Sequence, residues 1–547
     1  MRLGRLFGRR ASLYEHIRAH LTDEGLSEEG ETLPDEDEIF GGSRLRWAPG
    51  ALEGAFSRHA GAEDDEAVVA DVHSALVDLA DHPGGRSRAR ARSTFRRAEP
   101  RTHVDGVVAR LRAFPPRNLD RLYAEVRAIA VESGRREEVK FALAVLGGFG
   151  REEDAELLRT FARHEEFTLY AAIALSHIVE DPVAEWLELA RRVDGWGRIE
   201  LVELLVREPR ARPDACAYLL RDGFRNTVMY GYTAQIVAEH CDLAGALERE
   251  SDGEVVAGAR DILTTLADDA WGGPAGGMLD YEHGLQATER FLQLVEPRTL
   301  DDYLAIDSLR TFVEDDLSWA ADDERSELDA RRAALGWTDD VRTDLARRCR
   351  DILEAPMWRE LVESELARDH EELPWQAIQV APRLGLAIRE FLMRHLERHP
   401  EDGGAWFQLV HQADPQTLDD ALAIARRRYD FDDLAEGPAL ELHRGEAVFQ
   451  VAEWFLQELA DHPAKGWGVI RPALRSPVIR NRHFALRALS RWPAELLTEE
   501  HREAVAKVAD DDPDEEVRDE ASHVLRGEAI ESPELRFEDF QEEDESE

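Results

Sequence analysis

Lysine is almost missing from this chain of 547 residues: only Lys140, Lys465 and Lys507 stand among 68 basic side chains, so nearly every positive charge is an arginine. Cysteine is scarce too. Cys216, Cys241 and Cys349 lie far apart, with no CxxC and no Cys/His cluster, which argues against a disulfide framework and a structural zinc site and predicts three reduced core thiols. No apolar run approaches the roughly 18 residues needed to span a bilayer. The basic start "MRLGRLFGRR" lacks the apolar stretch and cleavage site of a signal peptide, so a cytoplasmic location is expected. Neither the phosphate-cradling GxxxxGK[ST] nor the GxSxG elbow occurs, and Gly195-x-Gly197 and Gly466-x-Gly468 lack the third glycine of a dinucleotide fold. Nucleotide-dependent and serine-hydrolase chemistry therefore have no sequence support.

What is abundant is carboxylate. Asp and Glu number 114, giving a net charge of −46 at an ordinary 43% hydrophobic content. A folded protein of this kind suits a cytoplasm of molar salt, where the charge holds surfaces apart and the salt screens self-repulsion. Apolar residues recur at three- and four-residue spacings in "DRLYAEVRAIAVES", "RIELVELLVRE" and "AVFQVAEWFLQELADH", while alternating strand patterns are rare. Short breaks with Pro, Gly and Asp separate these segments. The chain thus reads as all-α, in hairpins of helices.

Two segments are one unit written twice. "SPVIRNRHFALRAL" starts at Ser476 and "DPDEEVRDEASHVL" at Asp512; Pro477 falls on Pro513, Arg482 on Arg518, Ala485 on Ala521 and Leu489 on Leu525, each 36 positions apart. Val517, Ala521 and Leu525 make a buried stripe, and Ala lets a neighbouring helix approach closely. "HEEFTLYAAIAL" puts Ala171 and Leu175 at the same interval, and "REEVKFALAVL" is a fainter copy. A helix pair that cannot bury its apolar face alone implies an α-solenoid, with its core shared between neighbours.

"DPDEEVRDEASHVL" resembles the second helix of the HEAT repeat, and the resemblance extends over about 130–250 and 465–527. It implies HEAT-like hairpins and a concave face for a protein partner. "HEEFTLYAA", "GWGRIELVELL", "EGPALELHRGE" and "SPVIRNRHFALRAL", in that order, resemble a family of prokaryotic helical-repeat proteins carried under the name limonene hydroxylase. That name implies an oxygenase, which needs a haem, flavin or non-haem metal. Cys349 in "DLARRCRDI" lacks the Gly-rich surroundings of a haem-thiolate loop and there is no flavin glycine pattern, so no cofactor is assigned.

The expected organisation is an N-terminal amphipathic helix and acidic linker over 1–42, helical sections over 43–270 and 281–527 separated by the Gly-rich stretch 271–280, and a disordered acidic tail over 528–547. The HEAT resemblance makes Tyr170, Arg198, Arg482 and His483 the partner-binding candidates on an inner face; Trp196, Tyr230 and Tyr232 read as core. Arg86, Arg88, Arg90, Arg92, Arg96, Arg97 and Arg101 form a basic run that either meets phosphate or an acidic partner, or is a mobile loop paired with the chain's own carboxylates. Counterion release weakens phosphate binding as salt rises, which disfavours nucleic acid. His16 with His20 and His395 with His399 lack the Glu of a zinc-hydrolase motif, and His443 with Glu446 lacks a nearby nucleophile, so no metal or catalytic residue is assigned. The leading reading is a non-catalytic scaffold, ahead of a HEAT-fold enzyme and a nucleic-acid binder.

Overall fold

The computed structural model describes residues 11–23, 25–36, 39, 47–52, 54, 65–207, 212–249, 252–270, 274, 276–411, 413–442 and 444–530. The basic start, His443 and the acidic tail beyond 530 lie outside them. The described residues are helical throughout, with isolated bridges at Leu21–Leu26 and Glu441–Val478 in place of strands. None of the described helices is long and apolar enough to cross a membrane.

Helix starts follow from local chemistry. A side-chain oxygen at the cap satisfies backbone N–H groups that have no partner within the helix. Asp65 caps Glu66–Asp81, Asn118 caps Leu119–Glu132, and Asp514 accepts from the amides of Glu516 and Val517 to start Glu515–Arg526. Asp181-Pro182 and Asp414-Pro415 pair a capping carboxylate with a proline that fits the first turn.

The chain forms two compact units, Met1–Glu354 and Ala355–Glu547; the stretch 271–280 lies within the first. In the first unit, alternate helices stack in sequence. Arg136–Gly147 packs on Thr168–Ser176, which packs on Gly195–Arg207, then Ala234–His240, Gly253–Asp268, Leu300–Glu314 and Asp339–Leu353. The intervening helices Ala155–Ala162 and Pro182–Ala190 lie against the members that follow them. Gly147 makes one step of this stack possible, because a Cβ there would sit 2.8 Å from the Cα of Ala174. At the N-terminal end, Leu13–His20 packs on Leu119–Glu132 and Ala155–Ala162, with Leu13 and Ile17 fully buried.

The second unit repeats the alternation: Gly403–Val410, Ala447–Leu459, Ile479–Ser490 and Glu515–Arg526 stack in order. Trp406, Phe455, Ala485, Leu489 and Ala521 belong to one continuous core. The stripe of the last helix runs through Val517, Ala521 and Val524; Leu525 is only half-buried, because the third apolar contact falls at i+7 rather than i+8.

Two expectations are corrected here. Cys216 and Cys241 are not separate thiols but a disulfide, with Cα atoms 5.1 Å apart, because the fold brings Pro213–Tyr218 and the end of Ala234–His240 together; Cys349 alone is a free, buried thiol. The run of arginines is not a loop. Residues 85–97 form the helix Gly85–Arg97, whose Ala91 and Phe95 are buried, with Phe95 stacked on Phe141.

Candidate binding cleft

Three consecutive residues before Thr168–Ser176 occupy three electrostatic environments. His164 is 1% exposed; its Nδ1 accepts from the Glu166 amide (3.2 Å), so its Nε2 donates to the Glu31 carbonyl (3.1 Å). Burial pushes this imidazole down to about 4, which keeps it neutral. Glu166 is buried as well. Burial works against its ionisation, but Lys140 Nζ at 2.5 Å, Arg136 at 3.4 Å and the Gly50 amide at 3.1 Å prevail and hold it below the usual carboxylate range. Arg136 also reaches Asp35 (3.1 Å) and Glu36 (2.7 Å), tying 35–36 to the stack.

Glu165, between them, faces a cleft. Its carboxylate accepts from the Trp196 amide at 2.8 Å, at the N-terminus of Gly195–Arg207. Gly195 has φ +53°, and a Cβ there would overlap the Glu165 carboxylate, so both backbone conformation and space require glycine. Burial, ahead of the charges of Asp194 and Glu31, pushes Glu165 up to about 7 despite the helix amides. The cleft, of about 430 Å³, is walled by Thr22 and Gly25, Leu26 and Ser27, the end of Ala155–Ala162 and the Arg191–Arg198 turn.

Four guanidinium groups line it: Arg163, Arg191, Arg192 and Arg198. Arg198 donates to the carbonyls of Val193 (2.9 Å) and Arg225 (3.0 Å) and so buttresses the turn, with Asp194 3.9 Å away. Arg191 and Arg192 share one carboxylate, Glu188, the former at 3.9 Å. Arg163 donates to the Thr22 carbonyl at 3.3 Å, while its Nε is buried without a hydrogen bond. Burial and then the neighbouring Arg192 charge hold the Arg163 guanidinium below its usual value.

Of the sequence candidates, Arg198 alone reaches this cleft. Tyr170 is 5% exposed, with Lys140 Nζ 5.8 Å from its ring centre, and belongs to the buried network beneath. Arg482 and His483 lie in the second unit. Arg482 is fully buried, 2.8 Å from the Asp512 carboxylate and donating to the Ser476 carbonyl at 2.6 Å. His483 meets Glu520 at 2.8 Å, and its ligand atom, one from Asp514 and one from Glu516 lie within 4.8 Å of one another, a set able to hold a metal ion. Burial opposes the His483 imidazolium, but Glu520, Glu516 and Asp514 prevail and raise its pKa, so a proton also satisfies this set.

The basic run is largely neutralised from within. Arg88 makes a two-pronged pair with Glu125 (2.5 and 2.6 Å), Arg92 and Arg96 meet Glu138, Arg90 and Arg97 approach Asp71, and Arg101 approaches Glu99. Arg86 is exposed and has no carboxylate partner among the described residues. The rings of His16 and His20 are tilted by 45° with centres 4.6 Å apart, and those of His395 and His399 are stacked at 4.8 Å. Sequence reasoning passed over Arg163, Glu165, Arg191 and Arg192. Their only signal was that "ARHEEF" and "ARRVDGWGR" each set arginine before a turn, and nothing local says that the two turns meet. Comparison with models of known protein families and with curated proteins finds no match to this chain.

Proposed function

We propose that this chain is a HEAT-like α-solenoid acting as a non-catalytic scaffold for a protein partner. The observation that carries the reading is the stacking of alternate helices along each unit, from Arg136–Gly147 to Asp339–Leu353 and from Gly403–Val410 to Glu515–Arg526. A stack built only from sequence neighbours lengthens into a continuous surface, and such surfaces engage extended partners through several side chains at once. The 36-residue register adds support. Arg482 donates to the carbonyl of Ser476 and Arg518 to that of Asp512, the same contact one repeat later.

The nucleic-acid reading needs a basic face, whereas six of the seven arginines between Arg86 and Arg101 lie beside carboxylates of the chain itself. The enzyme reading, under the limonene hydroxylase label, has no cofactor motif behind it. The test is affinity capture of the tagged full chain from its own cell lysate in molar KCl, with and without nuclease, read by mass spectrometry and eluate absorbance. A stoichiometric, nuclease-resistant protein partner is the expected result. Nucleic acid in the eluate, or turnover of a terpene by purified protein with an electron donor, would overturn the reading.

A further inference from the structure

Several arginines of this protein each have two carboxylates. Arg159 has Glu156 and Glu185, Arg212 has Asp181 and Asp214, Arg310 has Asp307 and Glu314, and Arg444 has Glu436 and Glu441. These carboxylates raise the arginine pKa in each case. Such pairing is what a chain with 114 acidic and 68 basic side chains produces by default.

The cleft arginines are paired more sparsely. Among the described residues, Arg191 and Arg192 have Glu188 as their one ion-pair partner and Arg163 has none, and Arg163 feels its neighbour Arg192 more strongly than it feels Glu188. A buried Nε–H without an acceptor is costly unless something else accepts from it. The carboxylates on the cleft wall do not pair with Arg163 or Arg192: Asp194 accepts from the amides of Gly195 (2.7 Å) and Thr227 (3.1 Å) and lies 3.9 Å from Arg198, Glu165 accepts from the amide of Trp196, and Glu31 is exposed. An acceptor with several oxygens suits planar guanidinium forks such as these. A volume of about 430 Å³ admits a small molecule rather than a folded partner.

We infer that the cleft between the Arg163 turn and the Arg191–Arg198 turn is a binding site for a small oxyanion-bearing molecule, a phosphate or polycarboxylate ester or acid, held by Arg163 and Arg192. This site is independent of the scaffold reading: loss of a protein partner leaves it intact, and failure of anion binding leaves partner capture unaffected.

The experiment titrates the full chain with pyrophosphate and with citrate at constant ionic strength, by calorimetry and by thermal shift. The chain is compared with its Arg163→Gln and Arg192→Gln variants, and with Arg97→Gln, which sits outside the cleft beside Asp71. Arg192 is 43% exposed, so its variant tests the site even where Arg163→Gln fails to fold. The expected result is saturable binding of at least one probe, weakened about tenfold or more by each cleft substitution and unchanged by Arg97→Gln; a tenfold loss corresponds to about 1.4 kcal/mol. The tighter probe identifies the oxyanion as phosphate or carboxylate. No saturable binding of either probe, or equal binding by Arg192→Gln, would overturn the inference.

Discussion

His164, Glu165 and Glu166 are adjacent in sequence, yet the fold renders one neutral, one poised near neutrality and one firmly ionised. Burial drives all three toward their neutral forms; the Glu31 carbonyl and the helix amides do not overcome it at His164 and Glu165, whereas Lys140 and Arg136 do at Glu166. A consequence follows for Glu165. Its folded pKa, about 7, lies above its ordinary 4.5, so the folded state favours the protonated form. The stability this provides is whole below about pH 4.5 and is lost as pH rises through 7. The loss amounts to roughly 3 kcal/mol, at about 1.4 kcal/mol per pH unit. Glu165→Gln keeps the acceptor for the Trp196 amide but cannot ionise. The difference in unfolding free energy, variant minus parent, should therefore rise between pH 5 and pH 8 in denaturant titrations. A difference that is flat with pH would mean that Glu165 is ionised at no cost. His164 acts oppositely: lowered to about 4, it removes stability as pH falls below its ordinary 6.5, and it cancels in the comparison because both proteins carry it.

Helices were the most legible level of this molecule. The spacing of Ala485 and Leu489 against Ala521 and Leu525 is visible in the sequence because packing one helix on the next demands a small residue and an apolar one at fixed positions. The match of Arg482 to Arg518 was equally visible, but its physical meaning was not. Both arginines turn back to a carbonyl six residues earlier, and Arg482 also spans to Asp512, which occupies in the next copy the place of Ser476. An arginine at 0% exposure cannot be told from a surface arginine by spacing alone, since its burial depends on a carboxylate 30 residues away. The same blindness hid the cleft and the Cys216–Cys241 bond, both made by segments that only the stack brings together. The two copies supply a direct comparison. Arg482→Ala leaves Asp512 buried and unpaired and should cost about 3–5 kcal/mol. Arg518→Ala gives up one hydrogen bond from a half-buried side chain and should cost about 1 kcal/mol. Urea unfolding of the two variants, followed by tryptophan fluorescence, measures the gap; equal losses would mean that the Arg482–Asp512 pair does not hold these repeats together.

At the scale of the whole chain, a net charge of −46 and dozens of ion pairs respond to salt in opposite directions, and distance decides which response dominates. Partners such as Arg88 and Glu125 at 2.5 Å, or Arg159 and Glu185 at 2.7 Å, lie well inside the screening length of roughly 10 Å at 0.1 M salt and are comparable to the length of about 3 Å at 1 M, so salt weakens them less than it weakens longer-range repulsion. Repulsion among exposed carboxylates without partners acts over longer gaps and is therefore the part that molar salt removes. The individual surface pairs contribute only about 0–1 kcal/mol each, which limits what their screening can cost. The preference for arginine over lysine works the same way, since two-pronged contacts such as that of Arg159 with Glu185 hold their geometry when Coulomb attraction is damped. Thermal unfolding of the full chain should accordingly shift upward as KCl increases from 0.1 to 2 M. The Arg163→Gln variant should follow the same curve, because one cleft guanidinium alters the total charge little. A melting temperature that stays level or falls over this range would mean that the ion pairs, not the excess of carboxylates, govern the salt response, and it would remove the physical basis for reading this composition as a fit to concentrated salt.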